Sequence, residues 1–483
     1  MNVLLKLSPE ITIKTNSIRK LMIKHLRANV RNTLTRIDER VKVKGTWDSL
    51  TVLIDDSVSS EKRENMLQTL CRISGVQQVL SVTTHQFESF ERTLELLMPA
   101  TLPEIANKSF CVRVRRVGQH DFSSQDIERY LGGGLLKFAN NARVQLKKPD
   151  VEVKLELVDD QLSIITERRL GLGGYPMGSQ DQCMALMSGG YDSPVAAYRM
   201  MRRGVKTHYC FFNLGGPAHE KGVKEVTHYL WQQYSASHRV YFVSVPFEPV
   251  VNEILAKIPN GYMGVVLKRM MLRAAARIAQ GANIPALVTG EAIAQVSSQT
   301  MQNLSVIDQV TEQLVLRPVA TEDKQVIIDE AQKIGTAKFA EVMPEYCGVI
   351  SKKPNTKVQL TDIVEAEANF DFSVLNRAIE SAVRTRSDRL LDDNDIVEVA
   401  QVSTVGDNEV VIDIRHPTEV EAHPLLIEGV KVLNVPFYKL RTEAEHLDSN
   451  KQYLLYCDQG VMSRMQAVYL ADQGYQNFSV FKK

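Results

Sequence analysis

Cys183-Met-Ala-Leu-Met187, Ser188-Gly189-Gly190-Tyr191-Asp192-Ser193 and Pro194-Val-Ala-Ala-Tyr-Arg-Met-Met-Arg-Arg-Gly204 run without interruption, and the rest of the chain is read from them. The apolar run has the length of a buried strand. Ser193 is placed to cap a helix whose first position, Pro194, loses nothing by lacking an N–H, and Gly204 is placed to end it. Two glycines in the turn let backbone N–H groups face inward. Together with a helix N-terminus they predict an anion site, with phosphate as the natural occupant. The Walker spacing G-x-x-x-x-G-K-[ST] is absent, which excludes the ordinary P-loop. A plain glycine-rich strand-to-helix turn is the alternative on this segment alone.

Outward from that stretch, residues 183 to about 340 alternate strand and helix. Strands expected at 183–187, 207–214, 239–245 and 286–290 make a doubly wound parallel sheet, which takes ligands at the carboxyl ends of its strands. Three further places here carry chemistry. Lys268 lies on a helix where its charge could reach a phosphate. Gly290, before Glu291, ends a strand where a missing side chain would admit a nucleotide. Gln299 lies in the polar stretch Gln295–Thr300. Each taken singly also fits packing or surface.

Towards the N-terminus, residues 1–83 follow a βαββαβ order that suits a ferredoxin-like domain, with a helix over 16–37 whose apolar positions include Ile18, Leu21, Met22, Leu26, Val30 and Leu34. Arg19, Lys20, Lys24, Arg27 and Arg31 decorate that helix, either to meet phosphates or to keep it soluble. Residues 87 to about 169 predict a helix, a strand at 110–116, a helix after Ser123, and paired strands at 151–158 and 161–166. Arg113, Arg115 and Arg116, with Lys147 and Lys148, could line a phosphate track. Gly171, Gly173, Gly174 and Gly178 mark a linker.

Towards the C-terminus, a charged linker and helix over about 351–404 lead to a small α/β unit. Its strands Val410–Arg415 and Tyr453–Tyr456 precede Cys457-Asp-Gln-Gly-Val-Met-Ser-Arg464. A cysteine where a strand turns into a helix faces converging N–H groups, which favours an anionic sulfur; a core cysteine at a strand end is the alternative.

The 483 residues suffice for three or four domains, and 58 basic against 57 acidic side chains give no global charge bias. The distribution is uneven. Residues 1–50 hold 11 basic and 4 acidic side chains, 101–150 hold 9 and 5, and 351–400 hold 7 and 10. A polyanion docking on the N-terminal part is one reading, a basic solvated face the other. No apolar run approaches a membrane helix and no signal peptide opens the chain, so the default location is cytoplasmic. The six cysteines (71, 111, 183, 210, 347, 457) form no C-x-x-C pair for zinc or an iron–sulfur cluster, and no protein ligand set for a metal is expected. A disulfide among them would be catalytic rather than structural.

Ser188 to Ser193 resembles the pyrophosphatase (PP) loop, S-G-G-x-D-S, of enzymes that split ATP between its α and β phosphates. Gly118-Gln-His-Asp-Phe-Ser123 with Tyr130-Leu-Gly-Gly-Gly134 resembles the THUMP domain of tRNA-modifying enzymes. The Asp-Ile-Arg strand and the six-residue loop from Cys457 resemble rhodanese domains, which carry sulfur as a cysteine persulfide. The combination, with His219-Glu220, Lys268–Met271, Val288–Glu291, Gln295–Thr300 and Pro344–Ser351, resembles the tRNA uridine 4-sulfurtransferase family over essentially the full length.

That resemblance implies α/β and α+β architecture in four parts: a ferredoxin-like domain (1–83), a THUMP region (63–168), a PP-loop domain (175–395) and a rhodanese domain (405–483). It implies ATP with magnesium, held at Leu186, Met187, Ser188, Gly189, Gly190, Ser193, Lys268, Gly290 and Gln299, with Asp192 near the metal-bound triphosphate. It makes Cys457 the persulfide carrier and Cys347 its disulfide partner. The implied partners are tRNA, a cysteine desulfurase and the sulfur-carrier protein of thiamine synthesis, with homodimer formation left open. Gln459 departs from the family, whose persulfide loop commonly has Arg there. Two other readings stay open: an amide-forming or other adenylating enzyme, and a non-enzymatic sulfur relay and tRNA-binding scaffold.

Overall fold

The computed structural model describes residues 2–482 apart from 48, 215, 344–353, 393–398, 407, 416, 459, 461–462, 464–465, 468–469 and 472. Cys347 and Gln459 lie outside the described residues. By packing, the chain divides into two units, Met1–Ser179 with Arg202–Gly204, and Gln180–Met201 with Val205–Lys483. Among the described residues no helix is long and apolar enough to cross a membrane.

In the first unit, β1 (Asn2–Leu7), β2 (Lys42–Gly45), β3 (Ser49–Leu53), β4 (Val76–Gln86), β5 (Ser109–Val117), β6 (Arg143–Val144), β7 (Val151–Val158) and β8 (Gln161–Leu170) form one sheet in the order β2-β3-β1-β4-β8-β7-β5-β6. Its first four strands have the ferredoxin-like arrangement. The sheet then continues, because β4 runs past the expected end at 83 and pairs antiparallel with β8 along Gln78–Gln86. The helix Asn16–Leu34 buries Met22, Leu26, Val30 and Leu34 at helical spacing, while Ile18 and Leu21, expected on the same face, are exposed in its first turns. The helices Phe90–Ile105 and Ser124–Phe138 pack so closely that a side chain at Gly134 would strike Leu94.

The second unit carries two sheets. β9 (Gln182–Met187), β10 (Lys206–Asn213), β11 (Tyr241–Pro246), β12 (Ala286–Val288), β13 (Leu314–Leu316) and β14 (Val383–Arg386) lie in the order β13-β12-β9-β10-β11-β14. All pairs are parallel except β11 with β14, an antiparallel edge contributed by the stretch expected to be linker. The central strands are buried on both faces, as β10 shows with six consecutive buried residues. From β9 the chain winds outward through β10 and β11, then returns to the other side of β9 as β12. The carboxyl ends of β9 and β12 therefore flank the point where strand order reverses.

β15 (Gln401–Val402), β16 (Glu409–Asp413), β17 (Val432–Asn434), β18 (Gln452–Tyr456) and β19 (Phe478–Phe481) make a second, all-parallel sheet in the order β15-β19-β18-β16-β17. Here the order reverses between β16 and β18, and Cys457 directly follows β18.

Candidate active site

At the carboxyl end of β9 the helix begins at Asp192, not after Ser193, and runs to Arg202. Ser193 is therefore no cap. Its buried hydroxyl reaches back across the turn, accepting from the Ser188 N–H at 2.8 Å and donating to the Ser188 carbonyl at 3.2 Å. This strap fixes the loop, and it takes up one of the N–H groups expected to face an anion. Neither Gly189 nor Gly190 has a positive φ, so their value is room rather than backbone freedom. A Cβ at Gly189 would strike the Met343 side chain, and one at Gly190 would meet nothing nearer than the Ser188 hydroxyl at 3.9 Å.

Asp192 holds two partners. Lys324 Nζ donates to Oδ1 at 2.7 Å and Gln295 Nε2 to Oδ2 at 3.0 Å, and the Lys324 ammonium also lies 5.6 Å from the Tyr191 ring centroid. Sequence reasoning missed Lys324, which sits at the start of the helix Lys324–Ile334, 132 residues from Asp192. Only the folded sheet brings them together.

Gly290 follows β12 as expected, but the space left by its missing side chain is occupied. A Cβ there would stand 2.6 Å from the Ser193 nitrogen and 2.7 Å from the Asp192 carbonyl carbon. The glycine lets the strand end approach the helix start instead of opening room for a ligand. The next residue, Glu291, is buried and accepts from Thr289 Oγ1 at 2.9 Å and Arg317 Nε at 3.0 Å, with Lys268 Nζ at 3.7 Å. Arg317 in turn forks onto Asp308 at 2.6 and 2.8 Å. Burial alone would push the Glu291 carboxyl up, but Lys268 and Arg317 outweigh it and hold it below the usual glutamate value. Two cations and two carboxylates thus fix Lys268, on the helix Met263–Gly281, beside the strand end. Arg317 and Asp308 were not legible as part of this set.

Gln299 ends a short 3₁₀ turn, Ser297–Gln299, and is buried, with its Oε1 meeting no hydrogen-bond partner among the described residues. A buried acceptor without a donor suits a ligand's N–H. Leu186 is half-buried and Met187 buried at the end of β9. His219 is buried edge-on to Phe211, and burial brings its imidazole down to about 4; Glu220 accepts from Asn213 at 3.0 Å. Among the described residues no group of three or more His, Cys, Asp or Glu could hold a metal ion.

The second sheet presents Cys457 as a free thiol, 6% exposed. Its Sγ accepts from the Ser463 N–H at 3.3 Å and lies 3.5 Å from the Ser463 hydroxyl, which donates to Gly460 O at 3.2 Å. A backbone donor aimed at sulfur is what a sulfur anion needs. Beside it Asp458 accepts from Arg415 Nη1 at 2.9 Å and from the Tyr456 hydroxyl at 3.0 Å, while Arg415 also forks onto the fully buried Asp413. In the same unit, burial pushes the thiols of Cys183 and Cys210 up to about 12.

In the first unit the basic side chains divide. Lys20, Lys24, Arg27 and Arg31 are exposed, and Arg19 stacks 4.5 Å from the Trp47 ring centroid. The three arginines expected to form one track do not share a face, since alternation on β5 puts Arg113 and Arg115 on one side and Arg116 on the other. Arg113 donates to Leu146 O at 2.7 Å and Arg116 lies 3.1 Å from the His120 ring.

Three family models match: the ThiI ferredoxin-like domain over residues 2–79, the THUMP domain over 87–167, and the thiamine biosynthesis protein (ThiI) over 178–372. Among solved structures the chain is similar to a 4-thiouridine synthetase, crystallised as an RNA complex with bound ATP. That match has a TM-score of 0.71 and 25% identity, and it covers 80% of this chain and 99% of that one. A second similar structure, PH1313 from Pyrococcus horikoshii, shares the fold at a TM-score of 0.54 and 19% identity, over 69% of this chain and all of the other. The tRNA sulfurtransferases of Tolumonas auensis and Erwinia tasmaniensis are 49% and 48% identical to it over the whole of both chains. With identity of that extent from end to end, the chain belongs to the tRNA sulfurtransferase family.

Proposed function

We propose that the protein transfers sulfur from a persulfide on Cys457 to uridine 8 of tRNA, at the expense of ATP, giving 4-thiouridine. The observation that carries this reading is that one chain places a strapped Ser188–Ser193 loop and a sulfur-bearing loop each at the strand-order reversal of its own parallel sheet.

The uracil oxygen is a poor leaving group, so it is first converted to an adenylate by attack on the α phosphate of ATP, releasing pyrophosphate. We assign ATP to Leu186, Met187, the loop residues Ser188, Gly189, Gly190 and Ser193, to Lys268 and Gln299, and to the main chain, not the side-chain space, at Gly290. The unpartnered Gln299 oxygen and the fixed Lys268 ammonium fit a base amine and a phosphate respectively. Magnesium would arrive with the triphosphate, and Asp192 is the carboxylate we assign to it. The metal would neutralise charge on the departing pyrophosphate.

The terminal sulfur of Cys457–S–SH then attacks the activated carbon, and AMP leaves. Cys347 attacks the inner sulfur, releasing the thiolated base and leaving a Cys347–Cys457 disulfide. An external dithiol must supply the two electrons that reopen it. A cysteine desulfurase recharges Cys457. The N-terminal parts, ferredoxin-like over 1–83 and THUMP over 63–168, grip tRNA in this scheme. The PP-loop part spans 175–395 and the rhodanese part 405–483. We assign the protein to the cytoplasm, a location that acting on tRNA supports.

The family's thiamine name supports a second role that we propose: sulfur delivery from Cys457 to the adenylated C-terminus of a sulfur-carrier protein. Whether two copies pair is tested by sedimentation.

The test uses the full chain with tRNA, ATP, desulfurase and cysteine. Cys457→Ala is expected to abolish 4-thiouridine while sparing pyrophosphate release, and Asp192→Ala to abolish both. Normal thiolation by Cys457→Ala would defeat the reading, and AMP release driven by a small acid with no effect of tRNA would favour an amide-forming enzyme instead.

A further inference from the structure

A short stretch ahead of Cys347 touches both chemical centres. The helix Ala337–Ala340 is followed by Glu341, Val342 and Met343, and it precedes Cys347 in sequence by only a few residues. Lys338 and Val342 are four apart, the spacing that puts side chains on one side of a helical turn. Val342 packs onto the apolar core of the second parallel sheet, the cluster that contains Cys457 together with Leu440, Leu455 and Ala467. The very next residue, Met343, occupies the space that Gly189 leaves by having no side chain. Two consecutive residues thus serve the sulfur-bearing core and the nucleotide loop.

Lys338 supplies charge at the same junction. Its ammonium lies 4.6 Å from the Tyr229 ring centroid and 5.3 Å from that of Phe339. Burial lowers it below the ordinary lysine value while the Cys457 sulfur acts in the opposite sense, so the two are within electrostatic reach. A lysine from outside the persulfide loop can serve an anionic sulfur.

We propose that residues 338–343 form the seat that docks the Cys457 domain against the nucleotide loop, with Val342 as its anchor, Met343 as the wedge at Gly189 and Lys338 as a cation within electrostatic reach of the sulfur. The inference rests on the sulfur-transfer reading above and adds residues to it. Lys338, Val342 and Met343 are positioning residues: they bring a charged persulfide to an activated base, a step that follows adenylation and the loading of sulfur onto Cys457.

The full-length Val342→Asp protein tests this, because a carboxylate placed on an apolar core breaks the seat. Three quantities are read side by side: pyrophosphate release with ATP and tRNA, the mass of the Cys457 persulfide after desulfurase and cysteine, and 4-thiouridine formed. The first two are expected within about twofold of the parent and the third at least about tenfold lower, the size of a lost positioning contact. Val342→Leu should restore it. Lys338→Gln should slow thiolation more than loading, and Lys338→Arg should recover most of the rate, which a merely structural lysine would not require. Thiolation within twofold of the parent in both Val342→Asp and Lys338→Gln overturns the proposal. If Val342→Asp also loses persulfide loading, Val342→Ser takes its place, and equal falls in loading and thiolation there overturn it as well. Failure of the underlying reading looks different, since the Cys457→Ala protein would then thiolate as the parent does.

Discussion

Gly290 stands so near Ser193 that a Cβ on the glycine would lie 2.6 Å from the serine's backbone nitrogen. The obstacle is main chain at the first turn of a helix, so it cannot swing aside as a side-chain tip would. Gly290→Ala must push β12 and the 192–202 helix apart, at a cost of about 1–3 kcal/mol by analogy with overpacked cores. The helix start moves with the loop that Ser193 straps. We expect KM for ATP in pyrophosphate release to rise at least about tenfold, with persulfide loading of Cys457 unchanged. A KM within twofold of the parent would show that the approach of strand to helix does not set the loop.

Glu291 compensates Lys268 and Arg317 in a buried setting. Glu291→Gln leaves those cations facing a neutral amide, and removing one partner of a buried pair typically costs about 3–5 kcal/mol. Its pH dependence is fixed in sign. The folded carboxyl is held below its ordinary value, so the stability it contributes is present above the unfolded value of about 4.3 and is lost as pH falls through the lower folded one. The difference in unfolding midpoint between parent and Glu291→Gln should therefore be full at pH 7 and shrink below about pH 4. A difference that grows on acidification would contradict this charge arrangement.

Arg415 forks onto Asp413, which has no exposed surface, and also holds Asp458 beside Cys457. Arg415→Gln strands a carboxylate in the core of the second parallel sheet, again at about 3–5 kcal/mol. Trypsin should then cut within 399–482 at least about tenfold faster, and thiolation should fall with pyrophosphate release retained. Equal cleavage in the two proteins would mean that the fork contributes no net stability.

The parts readable from the sequence are those whose signal is local. The apolar run Cys183–Met187, the turn and the following helix come from neighbouring residues, and the structure differs only in starting the helix at Asp192 and turning Ser193 inward. Likewise Cys457 follows a strand because Tyr453–Tyr456 is apolar and short. The partners were not legible. Lys324 reaches Asp192, Arg317 reaches Glu291 and Met343 reaches Gly189 across 132, 26 and 154 residues, and a charged or thioether side chain on a helix gives no hint of what it will meet. The edge strand Val383–Arg386 was hidden for another reason: its run Val-Arg-Thr-Arg is largely exposed and reads as linker until β11 supplies a ladder. Gly290 shows the converse, a residue placed correctly for the wrong physical reason.

The ladder joining β4 to β8 has a consequence for heredity as much as for folding. Because Gln78 through Gln86 is bonded along its length to Gln161 through Leu170, a gene broken near codon 86 would leave one half-sheet with a bare rim inviting strangers to pair with it. The opening 170 residues can therefore be borrowed, swapped or transplanted only together, as a single cassette.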